Sequence, residues 1–176
     1  MILNDGQQAA LGEILASLED GKQRHLLTGF AGTGKTTLMQ AVVRSLVDKG
    51  VPVVVTAPTH KAVHVLAGKL AEAGLSNVES MTIHSLLGLK PAAGDSERSV
   101  LKRSGRSKTD EFKAVVIDEC SMLGADLQGY IDNDLRRHWV LYVGDPAQLP
   151  PVGEDEASCF KTTYSMQIMI TYWTCC

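Results

Sequence analysis

Residues 29–36 read Gly29-Phe30-Ala31-Gly32-Thr33-Gly34-Lys35-Thr36, a complete G-x-x-x-x-G-K-[ST] pattern. Glycines at this spacing let successive backbone N–H groups turn inward on a polyphosphate. Lys35 has the reach to meet β- and γ-phosphates, and the Thr36 hydroxyl can ligate Mg²⁺. The same letters can arise in any flexible Gly-rich loop, so the flanks matter. His25-Leu26-Leu27-Thr28 predicts a short strand entering the loop. Residues 36–48 predict the helix leaving it, with Leu38, Val42 and Leu46 on one face and Gly50 as a stop. Strand, glycine loop and helix N-terminus together form an arrangement that binds phosphate.

A second set of reactive groups is the acid pair Asp118-Glu119, directly after the apolar run Val115-Val116-Ile117. Asp118 is suited to hold Mg²⁺, directly or through water, and Glu119 to polarise an attacking water. Taken alone, such a pair is as readily a solvated strand end; the upstream phosphate loop gives the catalytic reading its weight. The segment Gly144-Asp145-Pro146-Ala147-Gln148-Leu149-Pro150-Pro151-Val152 follows another apolar run. Its Gln148 can hydrogen-bond a γ-phosphate, although by itself the segment is a Pro-rich turn with an exposed amide. Lys35, Glu119 and Gln148 are the candidate catalytic residues, and Thr36 and Asp118 the candidate metal ligands.

These groups have to be held by a scaffold. With 176 residues, 44% hydrophobic and 21% charged, the chain suffices for one domain with a sizeable core. Alternating strands and helices predict an α/β fold around a mostly parallel sheet. A first helix is expected over residues 5–18. Strands are expected at 53–55, opened by Pro52, and at 114–117 and 139–143, with a helix at 61–73 stopped by Gly74. The β-branched runs suit strands buried on both faces. Each run carries its polar residues at its C-terminal end, where open α/β sheets bind ligands. Residues 91–110 break this pattern. They are polar and basic, and Ser104-Gly105 reads as a hairpin turn inside them. No apolar run approaches the ~20 residues of a membrane span. Cys120, Cys159, Cys175 and Cys176 show no C-x-x-C spacing, so a reducing compartment fits better than a disulfide or zinc framework. A net charge of −3 means that any nucleic-acid surface must be local.

The order of the motifs resembles the first motor domain of superfamily 1 DNA helicases, in the 5′-to-3′ group that includes RecD and Dda. The likeness covers roughly residues 3–153 and rests on five segments: 29–37; Thr56-Ala57-Pro58-Thr59-His60-Lys61-Ala62; Thr82-Ile83-His84-Ser85-Leu86-Leu87; Asp118-Glu119-Cys120-Ser121-Met122; and 144–152. The resemblance implies a RecA-like P-loop NTPase fold. ATP and Mg²⁺ would be bound by Gly29, Ala31, Gly32, Thr33, Gly34, Lys35, Thr36, Thr37 and Asp118. It also makes Gln7 a candidate to read the adenine edge; Asn4 and Gln7 equally fit a capping box at the helix start, and the two readings are compatible. Single-stranded DNA would be met by Pro58, Thr59, His60, Lys61, Thr82 and His84, donors that position phosphates without reading sequence. His60 stands where relatives often carry glycine. The basic stretch corresponds to a small inserted β-hairpin subdomain, with Arg98, Lys102, Arg103, Arg106 and Lys108 clustered against a polyanion. It offers no aromatic wedge.

By the same resemblance, residues 1–153 are an ATP-binding motor domain with its insertion at about 91–110, and residues 154–176 are a divergent tail. No arginine follows Arg137, whereas such motors receive transition-state arginines from a second domain, worth about 10³–10⁵ in turnover. Feeble ATPase activity and no processive unwinding are expected, with a shortened or frameshifted gene product among the explanations. The apolar stretch 166–173 is either an added strand or a packed segment. Partners implied are single-stranded DNA, a second motor domain, or replication, repair and recombination subunits, in a cytoplasmic, bacterial or phage-like setting. Two other classes stay open: a non-catalytic nucleotide-binding regulatory module, and another P-loop NTPase or kinase.

Overall fold

The computed structural model describes residues 3–92, 100–151, 153–161 and 164–170. Helix α1 (Asp5–Glu19) begins at a full capping box. The Asn4 side chain accepts from the Gln7 N–H at 2.8 Å and the Gln7 side chain accepts from the Asn4 N–H at 3.1 Å. Strand β1 (Arg24–Gly29) then runs into the glycine loop, and α2 (Lys35–Asp48) leaves it. β2 (Val53–Ala57) and α3 (His60–Glu72) follow, the helix capped by Thr59, whose hydroxyl accepts from the Ala62 N–H at 3.1 Å. β3 (Glu79–Thr82) passes directly into the short α4 (Ile83–Leu87). After the insertion come β6 (Ala114–Ile117), α5 (Ala125–Asp134), β7 (Trp139–Gly144), α6 (Ser158–Lys161) and β8 (Met166–Ile170).

Six strands form one parallel sheet in the order β3-β2-β6-β7-β1-β8. The period-2 geometry of a strand divides its side chains between two cores. Leu27, Val53, Val55, Val116 and Leu141 meet α1, α2 and α3 on one face. Leu26, Val54, Val115, Ile117, Val140 and Tyr142 meet α4, α5 and α6 on the other. Burial on both faces explains why these strands read as continuous apolar runs and not as alternating ones.

The insertion differs from the sequence expectation. Its strands are β4 (Leu89–Ala92) and β5 (Val100–Arg103), paired antiparallel with Leu89 opposite Arg103. Ser104-Gly105 follows β5 and is therefore not the turn that joins the two strands. These two residues instead close the base of the hairpin, donating their N–H groups to the Gly88 carbonyl at 3.0 and 3.2 Å. A Cβ on Gly88 (φ 66°) would lie 2.6 Å from the Gly105 carbonyl oxygen, so the closure requires glycine there. Arg98 lies outside the described residues. Of the two readings open for the apolar tail, the added strand is the one seen: Met166–Ile170 pairs with β1 at the sheet edge, and Cys159 just before it is fully buried.

Candidate nucleotide site and adjoining groove

Because the sheet is parallel, Gly29, Ala57, Thr82, Ile117 and Gly144 all end at one edge, and the segments with chemistry follow them. The glycine loop reaches α2 through Gly32 (φ 80°) and Gly34 (φ 87°), conformations that side chains other than glycine rarely adopt. Leu38 N–H is the first to bond within the helix, to Gly34 O at 3.0 Å. The N–H groups of a helix's first turn have no intrahelical acceptor, and at the end of a glycine loop that suits an anion. Lys35 arches over the loop, its Nζ 2.5 Å from Gly29 O and 2.9 Å from Phe30 O, with Asp145 Oδ2 4.0 Å away. Thr33 pins the turn by donating its hydroxyl to Phe30 O at 2.8 Å. Gln7 reaches this loop too, its Nε2 3.5 Å from Gly34 O, so the capping residue also stands at the phosphate cradle.

Asp118 follows β6, and its Oδ1 accepts from the Glu119 N–H at 3.0 Å. Burial, reinforced by the Glu119 charge, pushes the Asp118 carboxyl up to about 6. Glu119 has φ 54°, alone among the described non-glycine residues in having a positive φ, a strained conformation of the kind that gathers at functional sites. Gln148 accepts from the Ser121 hydroxyl at 2.7 Å. A cleft of about 370 Å³ joins Asp118, Glu119 and Gln148 with Thr59, Lys61 and Lys69 of the α3 region. Asp118 lies within electrostatic reach of Lys35, next to which Thr36 stands in the chain; a carboxylate and a hydroxyl are donor types that Mg²⁺ takes alongside substrate phosphates.

A second groove of about 530 Å³ gathers Pro58, His60, Thr82, His84 and Arg106 with Lys90. Thr82 caps α4, its hydroxyl accepting from the Ser85 N–H at 3.1 Å. Burial, then the neighbouring His60, lowers His84 below the ordinary histidine range. The candidate DNA residues thus divide: Thr59 and Lys61 line the acid-side cleft, and Pro58, His60, Thr82 and His84 line the groove. Lys102 is exposed on β5. Arg103 pairs with Asp134 at 2.6 Å and lies 5.7 Å over the Tyr130 ring, and Lys108 pairs with Glu79 at 3.1 Å. Sequence reasoning passed over Asp145, Ser121, Lys69 and Lys90. Asp145 and Ser121 sit inside quoted motifs, but Lys69 and Lys90 carry no local signal, because only packing brings them to the clefts.

Fold and loop together define a P-loop nucleotide-binding domain of the RecA-like class. The model of a family described as an AAA domain matches residues 2–167, and the chain belongs to that family, corresponding to the first RecA-like domain of the superfamily 1 helicases Pif1, Dda and RecD. It is 34% identical to an uncharacterized protein of Acanthamoeba polyphaga mimivirus, over 92% of this chain and 36% of that protein. It is 27% identical to the ATP-dependent DNA helicase dda of Enterobacteria phage T4, again over 92% of this chain and 36% of the relative. The crystal structure of Pif1 helicase from Candida albicans superposes with a TM-score of 0.65 at 26% identity, over 98% of this chain and 40% of that one. The chain thus spans well under half the length of these relatives.

Proposed function

We propose that this chain is the ATP- and single-strand-DNA-binding motor half of an ATP-dependent 5′-to-3′ DNA helicase. The observation that carries the reading is the meeting of five motif segments at one edge of a parallel sheet: four contribute to two adjoining clefts bridged by α3, and the fifth, the phosphate loop, follows β1 at the same edge. Lys35 and the loop N–H groups would hold the phosphates, with Thr36 and Asp118 on Mg²⁺. Glu119 would take a proton from the attacking water, and Gln148 would sense the γ-phosphate through its amide. Pro58, His60, Thr82, His84 and Arg106 would track a sugar-phosphate backbone, while Thr59 and Lys61 at the start of α3 would link strand contact to the acid pair. Lys102 and Arg103 extend the basic surface on the insertion.

Among the described residues the cleft around Asp118 and Glu119 is lined by Lys61 and Lys69 but by no arginine. Full turnover would therefore depend on a cation delivered from outside this chain. The same feature favours one second reading, a nucleotide-binding regulatory module without catalysis. The deciding experiment is nucleotide binding and ATP turnover by this chain with and without single-stranded DNA. Lys35→Ala is expected to lower nucleotide affinity at least about tenfold. Glu119→Gln should bind nucleotide normally and abolish the small DNA-stimulated turnover. Turnover indifferent to DNA and to Glu119→Gln would leave the regulatory reading; nucleotide affinity indifferent to Lys35→Ala would overturn both.

A further inference from the structure

At the opposite pole of the sheet, where β1, β6 and β7 begin, lies a cleft of about 530 Å³. We propose that it binds a small organic anion with a flat apolar body. Small-molecule sites typically occupy roughly 300–1,000 Å³, mostly apolar, with a few converging polar groups. Here Leu18, Phe112 and Trp139 supply the apolar wall, and Lys22, Lys113 and Arg137 supply the charge. Lys22 is loosely paired with Asp20 at 3.5 Å, both side chains well exposed, whereas Lys113 and Arg137 have no ion-pair partner among the described residues. Asp110 is the one carboxylate on the lining, and the neighbouring His138 has its Nε2 3.0 Å from Thr109 O. Three cations against one acid, in a chain of net charge −3, form a local concentration of positive charge and not a general property of the surface.

A second observation is independent of that charge. Trp139 is 6% exposed, and its indole Nε1–H has no acceptor among the described residues. Indole is a donor only, and a buried donor left unpaired is unfavourable. His25 stacks on the same ring at 4.9 Å between centroids and holds it in place. The indole nitrogen is itself closed to solvent, so the indole serves as part of the wall and as a reporter of the cleft; a ligand would set its charge toward Lys113 and Arg137 and its ring against Phe112 and Leu18.

The test is titration of the chain carrying Trp173→Phe, which leaves Trp139 as its single indole, with phenyl phosphate. The readout is the indole N–H resonance. The expected result is a saturable shift, retained in Lys35→Ala, which weakens any competing binding at the nucleotide loop. Affinity should fall at least about tenfold in Lys113→Gln/Arg137→Gln. Should that double variant not fold, Leu18→Glu, which puts a negative charge on the apolar wall, should weaken the response by a similar factor. An unmoved indole resonance would overturn the proposal. So would an equal shift with phenol, which lacks the charge, or with inorganic phosphate, which lacks the ring.

Discussion

His25 is a polar ring in an apolar place, 1% exposed, stacked on Trp139, with its Nδ1 3.3 Å from the Val140 carbonyl. That carbonyl can only accept, so Nδ1 carries the proton of the neutral ring. Burial pushes the imidazole down to about 4, against an ordinary value near 6.5. The unfolded chain therefore binds this proton more readily than the folded one. The contribution to stability is complete above about pH 6.5, is lost as pH falls toward 4, and amounts to up to about 3 kcal/mol. Urea unfolding at a series of pH values should show this slope, and His25→Leu should flatten it even though it lowers the baseline; an unchanged slope would refute the assignment. Glu119 is the other residue whose backbone carries a cost. Its left-handed conformation disfavours a β-carbon by about 1 kcal/mol or more. Glu119→Gly is expected to hold or raise the unfolding free energy by up to about 1 kcal/mol while abolishing turnover, measured by denaturation and ATPase assay on the same preparation. A marked loss of stability would mean that the Glu119 side chain supports the fold.

At the scale of elements, α1 places one side chain both at its own helix cap and beside the phosphate loop. Gln7 closes the capping box through its Oε1 and lies beside the phosphate loop through its Nε2. Gln7→Glu preserves the cap acceptor and removes the amide donor. It should leave thermal stability within about 0.5 kcal/mol yet weaken ATP binding; Gln7→Ala should lose both. If Gln7→Glu binds ATP as well as the parent, Gln7 serves the helix alone. The elements readable in the sequence were the long or strongly apolar ones. β1, β2, β6 and β7 are runs buried on both faces, α2 has an apolar stripe and a glycine stop, and α3 ends before Gly74. β3, with Glu79 exposed and only Thr82 buried, and the five-residue α4 carry too little pattern to announce themselves. The hairpin was misplaced for a related reason. Ser104-Gly105 has the composition of a turn, but β5 finds its partner upstream at Leu89–Ala92, and pairing over that distance leaves no local mark.

For the molecule as a whole, the strand order sets where stability concentrates. β2, β6, β7 and β1 are flanked by strands on both sides, whereas β3 and β8 are edges. Amide exchange should be slowest in β2, β6, β7 and β1 and distinctly faster in β3 and β8, measured by native-state hydrogen exchange. Uniform protection across all six strands would contradict this. β8 nonetheless matters to the site, since a Cβ on Gly29 would come within 2.6 Å of the Ile170 carbonyl oxygen and 2.7 Å of the Thr33 hydroxyl oxygen. The sheet edge thus packs directly against the start of the phosphate loop. The sequence by itself determined the loop, the acid pair, the parallel α/β class and the helicase likeness, because each is written in contiguous residues whose spacing alone fixes their local geometry. Only the tertiary structure decided that Lys61 and Lys69 share a cleft with Asp118, that Lys90 and Arg106 join His60 and His84, that Met166–Ile170 completes the sheet, and that cations and an unpartnered indole converge at the far pole. Those neighbours are far apart along the chain, and which of them meet depends on strand order and helix packing.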